Sequence, residues 1–331
     1  MKKTDRFIVI TSIFPPTKAI AGFSQQKDWQ LIVVGDRKTP TDWHHEQTKF
    51  LSVSDQESSG YNIAALLPWN HYCRKMVGYV EAIKSGAEVI VDTDDDNIAK
   101  ANWQIPDFSG EYALTKSGQG FVNIYRSFTN KHIWPRGFPL RRITNDKAIV
   151  RNEDLTATQV EVGIWQGLAD GDPDVDAIYR LTSDEPCHFE EREPIVLAEG
   201  TLCPFNSQNT AFRKELFPLL YLPAFVTFRF TDILRGLVAQ PVMWANGYNL
   251  GFLNATVFQA RNPHDYLKDF ESEIPCYLYP EKIIDAVQGC VSSSNSVADN
   301  LYQAYEALHQ HQIVTSEELP LLAAWLKDIA A

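Results

Sequence analysis

Three short apolar runs in the first hundred residues, FIVITSIF, QLIVVGD and AEVIVD, restrict the fold more than any other feature of this chain. Each reads as a strand buried on both faces, because near-continuous Val and Ile content marks a sheet covered on two sides. Between the first two lies TKAIAGFSQQKD, which has helix-like content. Ahead of the third, NHYCRKMVGYVEAIKS carries apolar residues at Tyr72, Met76, Val77, Tyr79, Val80 and Ile83. That spacing predicts a one-faced helix, stopped by Gly86. Strands alternating with helices imply an α/β fold with a Rossmann-like, mainly parallel sheet flanked by helices. Such sheets bind ligands at the carboxyl ends of their strands.

From Ile98 to about Arg151 the sequence turns to Gly, Pro, aromatic and polar residues, and WPRGFP within it looks like ordered loop. Further on, DVDAIYRLT reads as another strand, FRFTDILRGLVAQ as a helix and ADNLYQAYEALHQHQ as an amphipathic helix. No linker or internal repeat interrupts the chain. The expected organisation is a catalytic α/β domain over residues 1–265, with a helical C-terminal region, 266–331, packed on it. At 331 residues the chain can bury enough apolar surface to be stable without disulfides. Its five cysteines are widely spaced and form no CxxC pair, as expected in a reducing compartment.

A formal net charge of −12 argues against a nucleic-acid partner, since phosphate-backbone binding depends on many Lys and Arg contacts. A small anionic ligand is still compatible with that charge, provided a divalent cation inverts the local field. The N-terminal MKKTDRFIVITSIF runs straight from a basic pair into a strand, without the long apolar segment of a signal peptide. The longest uncharged stretch, Gly236 to Ala260, is broken by Pro241 and several amides, which makes it a poor membrane span. The expectation is a cytoplasmic protein with no membrane span.

The sharpest chemical feature is the cluster Asp92, Asp94, Asp95 and Asp96, directly after VIV. Two like charges about 4 Å apart repel by roughly 1 kcal/mol in water and about 4 kcal/mol at an intermediate effective dielectric. A hard cation such as Mn²⁺ or Mg²⁺ relieves that repulsion, and carboxylate oxygens suit both. The competing reading is a solvated acidic turn. Placement at the end of a buried strand favours the metal. An EF-hand is excluded, because the Gly and Glu it needs downstream of Asp92 are missing.

Other candidates surround this cluster. Arg74 and Lys75 open the helix before it, where a basic pair opposes the helix dipole; they are expected to meet a nucleotide or its phosphates. Asp36, ending the second strand, is placed to accept hydrogen bonds from a base or ribose. Asp232 and Arg235 stand i and i+3 on a helix, where an ordinary surface ion pair is the default. His264, after a proline turn, is a possible metal ligand, although a lone histidine is more often structural. P-loop, GxGxxG and GxSxG signatures are absent.

These segments resemble the STELLO family of glycosyltransferase-like proteins. The likeness runs in order through RKMVGYVEAIKSGAEVIVDTDDDN, WPRGFPL, DPDVDAIYRLT, PFNSQNT, TDILRG and QARNPHDYLKDFESE. It implies a GT-A-like catalytic domain. The wider GT-A group holds its cation and donor diphosphate on a strand ending in D-x-D-D, which corresponds here to Asp92, Asp94 and Asp95. Asp96 extends that pattern, so the ligand pair stays open between Asp92/Asp94 and Asp94/Asp96. The resemblance also implies a metal ligand at His264 and a catalytic base at Asp232, although the usual Glu-Asp is Thr231-Asp232 here. The plant members are Golgi membrane proteins, and their location and partners do not carry over.

What the resemblance implies is metal-dependent transfer of a sugar from a nucleoside diphosphate sugar, expected to be a UDP-sugar, to a glycan or other hydroxyl acceptor. Cofactor contacts would come from Asp36, Arg74, Lys75, Asp92 and Asp94, and metal contacts from Asp94, Asp95, Asp96 and His264. Asp232 would serve as base for an inverting displacement, and Asn206, Ser207, Gln208 and Asn209 would line the acceptor pocket. Two other readings fit the same scaffold: a nucleotide-sugar mutase, and a non-catalytic assembly partner.

Overall fold

The computed structural model describes residues 4–183, 185–260 and 264–330. The N-terminal basic pair and the proline turn before His264 lie outside them. Twelve strands are present among these residues: β1 (Arg6–Thr11), β2 (Gln30–Val34), β3 (Thr48–Leu51), β4 (Val89–Thr93), β5 (Asn97–Ala99), β6 (Ser109–Leu114), β7 (Gly120–Phe121), β8 (Thr156–Gly171), β9 (Ile195–Leu197), β10 (Thr201–Leu202), β11 (Asn209–Arg213) and β12 (Asn249–Gln259). The helices are α1 (Lys18–Ser24), α2 (Val53–Ser58), α3 (Asn62–Leu66), α4 (Lys75–Lys84), α5 (Tyr125–Phe128), α6 (Ala177–Thr182), α7 (Thr231–Ala245), α8 (Tyr266–Leu278), α9 (Pro280–Gln288), α10 (Val297–Gln310) and α11 (Glu318–Ala330).

Ten strands form one sheet in the order β3-β2-β1-β4-β11-β8-β6-β9-β12-β5, while β7 and β10 pair separately. The first four are parallel, and three of them, β1, β2 and β4, are the apolar runs of the sequence. Beyond β4 the sheet is mixed. β11 runs antiparallel to both β4 and β8, and β8 and β12 run parallel through several bulges. This is the expected GT-A-like α/β architecture with a helical C-terminus.

Alternate residues of the buried strands feed two cores. Phe7, Val9, Ile32 and Val34 face one side, under α4, α7 and the C-terminal helices. Ile8, Ile10, Leu31 and Val33 face the other, against α1 and the tryptophans at 43, 103 and 165. Burial on both faces explains why these runs lack polar alternation.

Three local expectations meet corrections. DVDAIYRLT is a helix rather than a strand: Asp176 caps α6 by accepting from the Tyr179 N–H. The strand of that region is β8, upstream. The segment from Asn70 is a short 3-10 turn before α4 begins at Lys75. Nor is α4 one-faced. It is buried almost all round because α11 covers its outer side, with Trp325 set edge-on against Tyr79.

Close packing aims α4 and α7 at the sheet's carboxyl edge. A Cβ on Gly78 would lie 2.6 Å from Val9 and 2.7 Å from Val34, so α4 rests directly on β1 and β2. A Cβ on Gly236 would lie 2.3 Å from the Phe205 carbonyl oxygen, so α7 lies on the backbone before β11. Lys75 and Asp232 stand one turn upstream of these contacts. No helix among the described residues is long and apolar enough to cross a membrane.

Candidate active site

A cavity of about 350 Å³ opens where the parallel strands end. Ser12 after β1, Asp36 after β2 and Asp94, Asp95 and Asp96 after β4 line one side of it. Arg136, Ser207, Phe228 and Asp232 line it as well, from the loops and helix that pack over the sheet edge. This is the carboxyl-end crevice in which open α/β sheets bind ligands, and its size suits a small ligand.

The acid loop is held from below by two buried cations. Lys75 Nζ donates to Asp92 Oδ1 at 2.8 Å, to the Thr93 carbonyl at 2.8 Å and to Asp94 Oδ1 at 2.7 Å. Three donors on one ammonium are thereby used in full. Arg235 Nη1 donates to Asp92 Oδ2 at 2.7 Å, and its Nη2 to the Asn206 carbonyl at 2.9 Å. Burial works against the ionised form of Asp92, yet Lys75 and Arg235 hold its carboxyl below the ordinary value. Asp94 differs. Burial, with the charges of Asp96 and Asp92, pushes it up to about 6 against the pull of Lys75. Burial raises Asp95 as well, although Ser12 donates to its Oδ2.

Asp232 sits at the start of α7 inside a second network. Arg136 Nη1 and Nη2 reach its two oxygens at 3.1 and 3.0 Å. The same guanidinium makes a two-point pair with Asp174, at 2.9 Å on each oxygen. The Ser207 N–H donates to Asp232 Oδ2 at 3.2 Å, and the Tyr72 hydroxyl lies 3.4 Å from Oδ1. The carboxylate is therefore fixed in orientation on several sides while still lining the cavity.

The structure separates the predicted site residues into three groups. Asp36, Asp94, Asp95, Asp96, Asp232 and His264 all line the cavity. Lys75 and Asp92 are fully buried beneath it. Both Asp92 oxygens are occupied, so of the two pairs left open only Asp94/Asp96 presents both carboxyls to the cavity. Arg74 points elsewhere: it donates to Gln56 and to the Ala64 and Leu67 carbonyls, and lies over the Trp69 ring. It ties α2 and α3 to α4 instead of meeting a phosphate. The expected i, i+3 pair of Asp232 with Arg235 does not form, because each is claimed by a different buried partner. Of Asn206–Asn209 only Ser207 lines the cavity. The amides brace the interior, with Asn206 donating to Asp174 at 2.8 Å and Asn209 to Thr256 at 2.8 Å.

Several cavity residues escaped the sequence reading. Arg136 was inside the flagged WPRGFP loop, and its position between Pro and Gly was the available signal. Lys38 stands two residues after Asp36. Tyr72 counts in the helical spacing before the acid loop and Phe228 opens FRFTDILRGLVAQ, but neither pattern marks a ligand site, and their cluster with His71 joins segments far apart in the sequence. Asn70 takes a positive φ of 58° to turn His71 into the cavity.

A hard divalent cation suits the chemistry of this loop, where three carboxylates line one cavity and burial resists the ionisation of Asp94 and Asp95. The four expected ligands do not converge. Ser12 holds the Asp95 carboxylate, and Asp269 pairs with His264 at 3.0 Å. Among the described residues no group of three His, Cys, Asp or Glu side chains forms a closed metal site. Lys75 donates to Asp94 at 2.7 Å and Gln259 to Asp96 at 3.2 Å, while both carboxyls still line the cavity.

A family profile described as STELLO glycosyltransferases matches residues 229–331, a segment that includes Asp232, Arg235 and His264 but not the acid loop. The chain is 29% identical over 350 residues to the Arabidopsis thaliana protein named Probable glycosyltransferase STELLO2, and 28% identical over 353 residues to Probable glycosyltransferase STELLO1 from the same plant. Each match covers 99% of this chain and 45% of the relative, so the chain spans just under half the length of these proteins.

Proposed function

Starting from its kinship with the STELLO glycosyltransferases, which runs along nearly the whole chain, we propose that this protein transfers a sugar from a nucleoside diphosphate sugar to a hydroxyl acceptor. One observation carries the reading: Asp94–Asp96 and Asp232 line the same cavity at the carboxyl ends of β1, β2 and β4. A donor's diphosphate and an acceptor's hydroxyl need opposite things of a site, charge neutralisation for one and a proton acceptor for the other. This cavity offers a position for each.

In this mechanism Asp36 and Lys38 bind the nucleoside end of the donor, with a UDP-sugar as the expected substrate. Lys75 stays out of contact with the donor. Its role is to hold Asp92 and Asp94 in place so that the acid loop is organised before the substrate arrives. Asp94 and Asp96 would hold a Mn²⁺ or Mg²⁺ ion, which would supply positive charge to offset the leaving diphosphate. Arg136 orients Asp232, which takes the acceptor proton as the hydroxyl oxygen attacks the anomeric carbon. Direct displacement of this kind inverts the configuration at that carbon.

Calorimetric titration with a panel of nucleoside diphosphates, in Mn²⁺ and then in EDTA, tests the donor half. The expected result is metal-dependent binding of one nucleotide that Asp94→Ala abolishes. Binding of no nucleotide under any condition would overturn the reading and favour a non-catalytic scaffold. Asp232→Asn, which keeps the shape of the network, is expected to bind nucleotide normally and lose turnover.

A further inference from the structure

Phe228 is 52% exposed at the cavity, between Thr227 and Arg229, which donate to the Ser272 carbonyl at 2.6 Å and to its hydroxyl at 3.2 Å. Its ring packs 4.7 Å from Tyr72 at 74° and 5.1 Å from His71 at 62°, both edge-to-face contacts. The two supporting rings are held in turn. Tyr72 and His71 stack at 5.3 Å, and the His71 Nδ1 accepts from the Cys73 N–H at 3.1 Å. The Tyr72 hydroxyl touches both the Phe228 carbonyl, at 3.3 Å, and Asp232 Oδ1, at 3.4 Å. The exposed ring is thus fixed relative to the carboxylate, through one intervening tyrosine.

We propose that Phe228 is the stacking platform for a sugar ring of a carbohydrate acceptor, seating that ring so that one of its hydroxyls meets Asp232. The inference rests on the glycosyltransferase reading and narrows its acceptor to a carbohydrate. A pyranose has one face rich in C–H groups and a rim of hydroxyls. An apolar aromatic surface beside a fixed carboxylate complements both, the ring covering the C–H face and the carboxylate meeting the rim. The edge-to-face packing keeps the platform rigid, so little ordering cost falls on binding. A phenyl ring also contributes no hydrogen bond of its own, which leaves the choice of hydroxyl to Asp232 and its neighbours.

The test uses the whole protein with saturating nucleoside diphosphate and Mn²⁺ on an array of defined oligosaccharides. The expected result is that wild-type protein binds at least one of them and that Phe228→Ala binds it about tenfold more weakly. Phe228→Tyr and Phe228→Trp restore binding, and nucleotide affinity by calorimetry stays unchanged in all three variants. Wild-type protein that binds nucleotide but no oligosaccharide overturns the platform while leaving the transferase reading intact. Equal oligosaccharide binding by Phe228→Ala overturns it as well. Loss of nucleotide affinity with oligosaccharide binding retained reassigns the ring to the donor's base. Absence of nucleotide binding in the wild type is the separate failure, that of the transferase reading itself.

Discussion

Arg235 stands one turn along α7 from Asp232 but pairs with Asp92, its Nη1 lying 2.7 Å from the Asp92 Oδ2. That reach links the helix carrying one candidate catalytic group to the strand leading into the acid loop. Lys75 closes the arrangement from α4, so one buried carboxylate joins three elements at the edge of the cavity. A buried ion pair adds little net stability by itself, but losing one member leaves the other charged and enclosed.

Lys75→Met is therefore expected to lower the free energy of unfolding by about 3–5 kcal/mol, read from urea denaturation. An unchanged midpoint would mean that water reaches Asp92 in solution.

Asp94 is predicted to trade stability for activity. Its folded-state pKa of about 6 lies above the ordinary 3.8, so the folded protein binds the proton more readily than the unfolded chain. Stability from this group is therefore full below the ordinary value and lost as the pH rises through about 6. In metal-free buffer Asp94→Asn is expected to raise Tm at pH 7, with the gain shrinking toward pH 4. Turnover of Asp94→Ala is expected to fall by roughly 10² to 10³. Scanning calorimetry at the two pH values and a transfer assay check the pair.

His71 provides a pH dependence of opposite sign. Burial lowers its folded-state pKa to about 4, with Asp36 pulling the other way, so the ring is neutral at pH 7. The stability it supports is present above its ordinary value of 6.5 and lost as the pH falls through 4. His71→Asn keeps a side-chain acceptor for the Cys73 N–H and removes the titration. The wild type is expected to lose more stability than this variant between pH 7 and pH 4.5, measured by urea midpoints. Parallel losses would place the histidine in contact with solvent.

Gly236→Ala tests the seating of α7. The added Cβ would meet backbone, the Phe205 carbonyl oxygen at 2.3 Å, and not a side chain that can turn away. Overpacking of this kind costs about 1–3 kcal/mol. Because Arg235 and Asp232 flank this contact through Asn206 and Ser207, turnover is expected to fall together with Tm. A loss of Tm with full turnover would show that the helix shifts without moving Asp232.

Much of the scaffold was legible because its signals are local. Apolar runs marked β1, β2 and β4, and helix-like segments marked α7 and α10, although α7 starts three residues later and ends five residues later than FRFTDILRGLVAQ. Short or irregular elements gave weaker signals: TKFL is only four residues of mixed polarity, and its strand β3 went unread. DVDAIYRLT predicts a strand because its apolar residues outweigh the Asp176 cap of α6. In the site, the acid loop announced itself by repulsion between neighbours in sequence. Arg136 and Phe228 did not, since WPRGFP reads as ordered loop and FRFTDILRGLVAQ as a helix, and neither pattern points to a ligand.

By itself the sequence determined that parallel strands would end in a cluster of aspartates, because strand burial and like-charge repulsion act between residues close along the chain. Only the tertiary structure decided which of those charges face a ligand. Asp92, Lys75 and Arg235 come from segments up to 160 residues apart and neutralise one another out of contact with solvent. Asp94, Asp96 and Asp232 are left at the cavity, because burial and pairing energies depend on distances in space that no local pattern encodes.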